Sequence, residues 1–328
     1  MSPDEMENLT GESKEGDQMV RFDDHGNAIK EPGQASMFSS IMNLSNTILG
    51  AGILGLPHAF ASSGYVLGSA FLVFFACTST FGLHLLADVS VRRHAVTRDA
   101  SFYNVAQAAF SKGALVIDVA VAIKCFGVST AYLIVIGDLL PPAMKAMGLS
   151  GLALDRRLVI TILQFAIIAP LCTLRRLDGL RFTSTMSILF VTFTSIVLLT
   201  FSADKDLDVS DRGSTEHVVF NYGTLTNLPV FIFGYTCQQN IFSISNDLKH
   251  LTMPRMNAII GTSISTGLIT YLVIAISGYY VFGDAVKANV LNNYPSHPLI
   301  TTARLMMSLL VTFGYPLQCF PSRYSILS

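Results

Sequence analysis

The sequence predicts an all-α, polytopic membrane protein, and two observations lead to this fold class. The mean hydropathy of the 328-residue chain is +0.51 and 13% of its residues are charged, whereas roughly a quarter of the residues in a soluble domain are charged. A transmembrane helix needs about 20 mostly apolar residues, and about eight such runs, called spans 1 to 8, follow one another. They cover residues 37–62, 66–88, 114–137, 157–174, 181–202, 226–247, 256–282 and 298–322.

The first 36 residues differ in composition from the rest of the chain. They contain nine Asp and Glu residues against Lys14, Arg21 and Lys30, and they show almost no apolar periodicity. Such a segment cannot bury enough apolar surface to fold on its own. We therefore predict a disordered, acidic tail over 1–36 and a transmembrane domain over 37–328. If this tail is cytosolic, about ten Lys and Arg residues lie in or beside the inner loops and six in the outer ones, as the positive-inside rule requires.

The glycines of span 1 match the spacing of a dinucleotide-binding turn, but their surroundings exclude one. Gly50-Ala51-Gly52-Ile53-Leu54-Gly55 would need a strand before it, a helix after it and an acidic residue about 20 positions on. The next acid is Asp88, after an almost uncharged apolar run. Gly costs roughly 1 kcal/mol and Pro about 3 kcal/mol in a helix interior, so these glycines and Pro57 predict a break in span 1. Close helix packing through small residues is the alternative.

Span 6 contains a second predicted break. In LPVFIFGYTCQQN, residues 228–240, Pro229 and Gly234 precede the polar residues Thr236, Gln238, Gln239 and Asn240. Unwound backbone at bilayer depth is tolerated where it lines a cavity or is buried in protein. Paired interruptions in two halves of a chain indicate a transporter of inverted repeats with a substrate site near the midplane. Spans 1 and 6 are five spans apart, which fits two repeats of five helices.

The two breaks suit an amino acid zwitterion. Free N–H groups at the start of a half-helix favour a carboxylate, and free carbonyls at the end of one favour an ammonium. We expect the carboxylate on the N–H groups of Ala51, Gly52 and Ile53, and Gln238 either to line the cavity or to hold helices together. The predicted substrate-binding set is Gly50, Ala51, Gly52, Ile53, Phe231, Phe233, Gly234 and Gln238.

Four segments resemble the amino acid/auxin permease superfamily, specifically its vacuolar amino acid transporters and the related sodium-coupled neutral amino acid transporters. They are NLSNTILGAGILGLPHAF (43–60), AIKCFGVSTAYLIVIGDLLP (122–141), FIFGYTCQQNIFSISNDL (231–248) and YPLQCFPSR (315–323). The resemblance implies the amino acid/polyamine/organocation fold, with eleven transmembrane helices in an inverted repeat and alternating access. It also implies an amino acid substrate in a vacuolar or lysosomal membrane, with the plasma membrane as the alternative.

The sequence departs from that family in length and at its coupling residues. About eight of the eleven expected helices are present, as in a truncated product or a fragment, and we expect that such a chain does not transport alone. In the cation site of sodium-coupled relatives, Asn46 and the carbonyl of Leu49 match, but Gly314 stands where those relatives have a hydroxyl and Thr312 is the nearest substitute. Gln238 stands where many vacuolar relatives have a histidine, in a TCHQN motif. The missing histidine weakens a proton-coupling role for position 238. Because vacuolar relatives are commonly proton-coupled and the sodium site is incomplete, the resemblance still favours H⁺ over Na⁺ as the coupling ion.

Three cationic side chains in or near the spans have alternative interpretations. Lys124, near the middle of span 3, is either a cavity-facing cation or proton site, or a partner of backbone carbonyls at a helix break. His58, at the end of span 1, is either a proton relay or a satisfied interfacial residue. We expect Arg304 to extend toward the outer headgroups. The segment 99–112 predicts an amphipathic helix on the inner surface, with Asp99 and Ser101 as possible caps.

The sequence favours a carrier of neutral or small polar amino acids over three other classes. A channel would show an acidic or carbonyl-rich filter motif, and none is visible in the sequence. A non-transporting amino acid sensor or assembly partner remains the main alternative. An enzyme is disfavoured because HExxH, GxSxG and paired intramembrane aspartates are missing from the sequence. We expect no cofactor beyond the coupling ion, no metal site and no nucleic-acid partner; the oligomeric state stays open.

Overall fold

The structure, a computed structural model, describes residues 13–15, 18–22, 28–29, 33, 35–94, 100–110, 113–173, 180–204 and 212–327. Near the N-terminus it contains three short strands, β1 (Ser13–Glu15), β2 (Gln18–Phe22) and β3 (Ala28–Ile29), each antiparallel to the next. Most other residues of the acidic tail lie outside the described ranges, so its disorder stays a prediction.

Helices occupy all eight predicted spans. Span 1 consists of Met37–Ile48, a 3-10 turn at Ala51–Gly55 and a helix at Leu56–Ala61. Span 2 is Gly64–His94, and span 3 is Ala114–Ala146. Span 4 joins an α-helix at Arg156–Leu163, a π-helix at Gln164–Ile168 and an α-helix at Ala169–Thr173. Span 5 is Leu180–Ala203, span 7 is Met253–Phe282 and span 8 is Pro298–Leu327. Span 6 consists of Tyr222–Gly234, a 3-10 turn at Gln238–Asn240 and a helix at Ile241–Asp247.

Short elements join some of these spans. A helix at Phe102–Phe110 lies between spans 2 and 3, and 3-10 turns occur at Gly151–Leu154, Gly283–Ala285 and Val290–Asn292. Among the described residues, six helices are long and apolar enough to cross a membrane, and the bent pair of span 1 makes seven. Span 6 fails that test because its helices have 13 and 7 residues. The prediction of an all-α, polytopic membrane protein is confirmed.

Span 7 lies at the centre of the helix bundle, where it contacts both halves of span 1 and also spans 2 and 5. Two glycines allow the close approach to span 1. A Cβ atom at Gly267 would lie 2.7 Å from Cγ2 of Ile48, and one at Gly278 would lie 2.7 Å from Cγ of Pro57. At distances this short, any larger residue would force the neighbouring side chain or its helix to shift. Span 1 is thus held against span 7 on both sides of its break.

The outer surface of the bundle is apolar, as a lipid-facing surface must be. Phe74 of span 2, Phe126 of span 3 and Phe165 of span 4 are 59%, 73% and 74% exposed. Spans 2, 3 and 4 also have smaller buried shares than spans 7 and 8. Because exposed aromatic side chains of this kind are stable in hydrocarbon and costly in water, spans 2 to 4 form much of the surface toward the bilayer.

The amphipathic helix predicted within 99–112 is confirmed over Phe102–Phe110. The hydroxyl of Ser101 accepts a hydrogen bond from the N–H of Asn104 at 3.1 Å, which caps the helix. The ring of Phe102 lies 4.8 Å from that of Phe242 in span 6, whereas Phe110 is 67% exposed. Asp99, the other predicted cap, lies outside the described residues.

Arg304 does not extend toward the headgroups, and that prediction is wrong. The residue is only 4% exposed, and its Nη2 donates hydrogen bonds to the carbonyls of Leu291 at 2.9 Å and Tyr294 at 3.0 Å. Carbonyl groups in the loop between spans 7 and 8 need donors when they are buried, and the guanidinium supplies them. Arg304 therefore ties this loop to span 8.

Candidate functional site

Span 1 breaks at Leu49 and Gly50, which confirms the first predicted interruption. The helix ends at Ile48, the backbone of Gly50 is extended, and the helical segments on either side meet at an angle of 44°. A Cβ atom at Gly50 would lie 3.1 Å from the hydroxyl oxygen of Tyr132, and one at Gly52 would lie 3.5 Å from the ring of Phe233. Glycine thus leaves the backbone of this break open toward spans 3 and 6.

Span 6 breaks after Gly234, which confirms the second predicted interruption. Residues 235–237 are not helical, and the carbonyls of Tyr235 and Thr236 accept hydrogen bonds from side chains of neighbouring spans. The hydroxyl of Ser79 in span 2 donates to the carbonyl of Tyr235 at 3.0 Å. The Nζ atom of Lys124 in span 3 donates to the carbonyl of Thr236 at 3.4 Å. Side chains from two other spans therefore satisfy the unwound backbone, as a break at bilayer depth requires.

Two contacts bring the breaks together. The buried hydroxyl of Tyr271, in span 7, lies within hydrogen-bond distance of the carbonyl of Ile48 and 2.6 Å from the carbonyl of Gly234. The side-chain amide of Asn240 donates to the hydroxyl of Thr47 at 2.6 Å. A tyrosine hydroxyl has one proton, so it can donate fully to only one of its two carbonyls at a time.

A small cavity lies between the breaks. Its volume of about 20 Å³ is room for about one water molecule. Among the residues that the structure describes, Lys124 is the one formally charged residue that lines this cavity. The described lining contains no carboxylate. The lining residues are Thr47, Ile48, Gly50, Gly52, Lys124, Val128, Tyr132, Phe233, Gly234, Thr236, Tyr271 and Gln318.

The predicted substrate residues divide between this cavity and the packed core. Gly50, Gly52, Phe233 and Gly234 line the cavity, and Ala51 lies between the two glycines at the start of the 3-10 turn. The other two apolar members of the set, Ile53 and Phe231, are 0% exposed in the core cluster. Phe231 packs its ring 6.0 Å from that of Phe60 and 5.5 Å from that of Phe71. Substrate contacts by Ile53 and Phe231 stay predictions, and they would need a rearranged conformation.

Gln238 lies beside the break of span 6 and outside the lining of the cavity. Its Nε2 donates to the hydroxyl of Ser79 at 3.1 Å and lies 3.4 Å from the carbonyl of Tyr235. Gln238 was expected either to line the cavity or to hold helices together, and these contacts fit the second interpretation. A direct role in substrate binding stays a prediction.

The predicted ion-coupling residues bind different neighbours. Nδ2 of Asn46 donates to the hydroxyl of Ser184 at 3.3 Å, and the hydroxyl of Thr312 donates to the carbonyl of Ser308 in its own helix at 2.7 Å. Leu49 is buried at the end of the first half of span 1. Among the described residues, no group of three His, Cys, Asp or Glu side chains could hold a metal ion. A coupling site at Asn46, Leu49 and Thr312 stays a prediction.

The two predicted proton carriers have different surroundings. Nδ1 of His58 lies 2.8 Å from the carbonyl of Val286, in the loop between spans 7 and 8, which fits a structural role. Lys124 lines the cavity and also donates to the carbonyl of Thr236. Lys124 thus faces the cavity and also binds a backbone carbonyl at a helix break, so it fits both of its alternative interpretations. His58 lies outside the cavity lining. Proton transfer by either residue stays a prediction.

Several cavity residues were not predicted from the sequence. Tyr132, Tyr271 and Gln318 each supply a polar group from the interior of an apolar span. Gln318 is 4% exposed, and its Oε1 has no hydrogen-bond partner among the described residues. Their polarity within apolar helices was the available signal, but the sequence does not show which face of a helix meets the two breaks.

Comparison with known proteins decides the family. The family described as transmembrane amino acid transporter protein matches residues 33–327, nearly the whole chain. The chain belongs to this family. Membership confirms the resemblance to the amino acid permease superfamily, and the match includes both broken helices.

Three similar members of the transmembrane amino acid transporter family come from two yeasts. Vacuolar amino acid transporter 5 of Schizosaccharomyces pombe is 37% identical over 297 residues, which cover 90% of this chain and 70% of the relative. Vacuolar amino acid transporter 6 of Saccharomyces cerevisiae is 34% identical over 297 residues, covering 89% of this chain and 66% of the relative. Vacuolar amino acid transporter 5 of the same yeast is 34% identical over 305 residues, covering 88% and 66%. The chain thus spans about two thirds of the length of these relatives.

Proposed function

We propose that this chain acts in secondary active transport of neutral or small polar amino acids by alternating access. The observation that carries the proposal is that the breaks of spans 1 and 6 meet at one cavity in the interior of the bundle. Paired breaks of this kind form the substrate site in transporters built from inverted repeats. The names of the yeast relatives, vacuolar amino acid transporters, support an amino acid as the substrate.

The geometry of the breaks suits both charges of an amino acid. We expect the N–H groups at the start of the 3-10 turn, those of Ala51 and Gly52, to favour a carboxylate. The N–H of Ile53 donates to the carbonyl of Gly50 at 3.4 Å and would have to exchange that contact for the substrate. The carbonyls of Ile48 and Gly234 end the two preceding half-helices and converge on the hydroxyl of Tyr271. An ammonium carries three protons, so it would satisfy both carbonyls at once. We infer that the substrate ammonium competes with this hydroxyl.

The cavity has to enlarge before an amino acid can enter. Its volume of about 20 Å³ holds about one water molecule, whereas even alanine has six non-hydrogen atoms. Binding therefore requires a relative movement of the helices around the two breaks. Such a movement is the opening step of an alternating-access cycle.

We propose a proton, rather than sodium, as the coupling ion. The sodium site of the sodium-coupled relatives is incomplete in this chain, because Gly314 stands where they have a hydroxyl, whereas a hard cation needs several oxygens. Lys124, in the cavity, is the stronger of the two candidate proton carriers because His58 lies outside the lining. The relatives' names favour a vacuolar membrane, with the plasma membrane as the alternative. The N-terminus is expected to be cytosolic.

Counterflow of radiolabelled amino acids in proteoliposomes tests this function. Vesicles preloaded with an unlabelled mixture of neutral amino acids should accumulate labelled alanine transiently, and an inwardly acidic or alkaline gradient should change the initial rate. The same assay on this chain extended by its downstream coding sequence tests whether further helices are needed. Empty liposomes are the control.

Each outcome separates the candidate functions. Saturable counterflow in either form supports the carrier. Flux that rises without saturation would indicate a channel. Alanine binding without flux in both forms would favour the alternative, an amino acid sensor or assembly partner. A chain that neither binds nor moves any amino acid would contradict the proposal.

A further inference from the structure

Lys124 is the one charged residue that lines the cavity among the residues that the structure describes. It lies in the interior of span 3, and the described residues of the lining include no Asp or Glu. Charged side chains are costly at bilayer depth, and those that occur there usually pair with a partner or serve a substrate or ion. The position therefore calls for an explanation.

The contact of Lys124 with the break of span 6 leaves most of its hydrogen-bonding capacity unused. Its Nζ carries three donors, and the described bond to the carbonyl of Thr236 is long, at 3.4 Å. A neutral donor would satisfy that carbonyl equally well, as Ser79 does for the adjacent carbonyl of Tyr235. The hydrogen bond to the break of span 6 thus uses one N–H donor of Lys124, but it does not explain why a charged residue is present at this position.

The position of Lys124 relative to the two breaks shows which part of a substrate it would meet. The substrate's carboxylate and ammonium are assigned to the segment from Ala51 and to the carbonyls of Ile48 and Gly234. Lys124 approaches from span 3, beside Val128 and Tyr132, which line the same cavity. The part of an amino acid that remains to be placed on this side is its side chain.

We propose that Lys124 is a specificity-determining residue that selects substrates by the charge of their side chain. This inference rests on the proposed function, and it narrows the substrate class. A side chain with a carboxylate or carboxamide oxygen accepts a hydrogen bond from Nζ. A lysine or arginine side chain is repelled, because the lining residues that the structure describes offer no carboxylate to offset the second positive charge. Among polar amino acids the site therefore favours aspartate and asparagine over lysine.

Competition binding tests the inference on the purified, detergent-solubilised chain. Tritiated alanine is the probe, and unlabelled aspartate, asparagine and lysine are the competitors. We expect aspartate to displace alanine at concentrations at least about tenfold lower than lysine does, because the charge of Lys124 attracts one side chain and repels the other. Lys124→Met should bring the two values to within about threefold, whereas Lys124→Arg should retain the preference.

Lys145→Met is the matched control, since Lys145 is an exposed lysine near the end of the same helix. It should leave the order of the competitors unchanged. Wild-type protein that binds alanine but prefers lysine, or does not distinguish lysine from aspartate, would overturn the inference and leave the proposed function standing. A folded Lys124→Met variant that still prefers aspartate over lysine would also overturn the inference and leave the proposed function standing. Failure of every amino acid to bind the wild-type chain would overturn both.

Discussion

The breaks of spans 1 and 6 both interrupt a membrane-spanning helix, but different chemical groups surround them. In span 1 the break lies at Leu49 and Gly50, and Gly50 and Gly52 bring backbone without a side chain to the cavity. In span 6 the break is surrounded by polar side chains, and Ser79 and Gln238 bind to each other and to the backbone there. One break is open toward the cavity, whereas the polar groups at the other are largely used within the protein.

This difference shows that a polar side chain in a membrane span does not by itself mark a binding site. Gln238 and Asn240 are polar because a broken helix needs partners, and Asn240 links the two breaks through Thr47. Gly52 has no side chain, so its backbone N–H and C=O are the polar groups that it brings to the cavity. We therefore expect substitutions at the break of span 1 to affect binding most and substitutions at the break of span 6 to affect stability most.

The largest effect is expected from Gly52→Leu. The cavity measures about 20 Å³, and a Cβ atom at Gly52 would already lie 3.5 Å from the ring of Phe233, so a leucine side chain would fill the space. Affinity for alanine should fall at least about a hundredfold, which equals about 2.7 kcal/mol. Scintillation proximity binding of tritiated alanine measures the loss.

Two variants control this test. Gly52→Ala adds only the Cβ atom, at an ordinary contact distance, and should be milder. Gly127→Leu lies in span 3, where a Cβ atom has no heavy atom within 4 Å, and should bind alanine normally. Normal binding by an inserted Gly52→Leu protein would contradict the placement of the carboxylate on this backbone.

A smaller effect, with opposite signs on stability and binding, is expected from Tyr271→Phe. Loss of the hydroxyl leaves the carbonyl of Gly234 without this donor, whereas the carbonyl of Ile48 keeps the N–H of Gly50 at 2.8 Å. A buried unsatisfied group costs about 1–3 kcal/mol. The thermal unfolding midpoint should therefore fall. Alanine affinity should be retained or increased, because the competitor of the substrate ammonium has been removed.

Tyr280→Phe is the matched control for this prediction, because Tyr280 lies in the same helix and is 64% exposed. It should change neither the unfolding midpoint nor the affinity. A Tyr271→Phe protein of unchanged stability and strongly reduced affinity would show that the hydroxyl binds the substrate instead of occupying the position of its ammonium.

The sequence was sufficient for the spans and for both breaks, but only partly for the site. Glycine, proline and polar residues in apolar runs act on the backbone locally, so Gly50 and Gly234 could be recognised without knowledge of the neighbouring helices. The rotation of each helix depends on tertiary packing. For that reason Phe231 was expected at the cavity but lies in the core, while Tyr271 lies at the cavity and was not expected. Arg304 was misplaced for the same reason, since its partners are carbonyls of a loop.

The smallest effect is expected from Gln238→Ala, which tests whether a polar side chain at the break of span 6 serves stability and not binding. The substitution removes the donor to the hydroxyl of Ser79, while Ser79 can still donate to the carbonyl of Tyr235. Loss of one such hydrogen bond costs about 1 kcal/mol, so we expect a modest fall in the unfolding midpoint as the main result. Gln107→Ala, at an exposed glutamine of the helix Phe102–Phe110, is the control. A tenfold or greater loss of alanine affinity at unchanged stability would instead show that Gln238 faces the substrate in the open conformation, and both breaks would then supply binding groups.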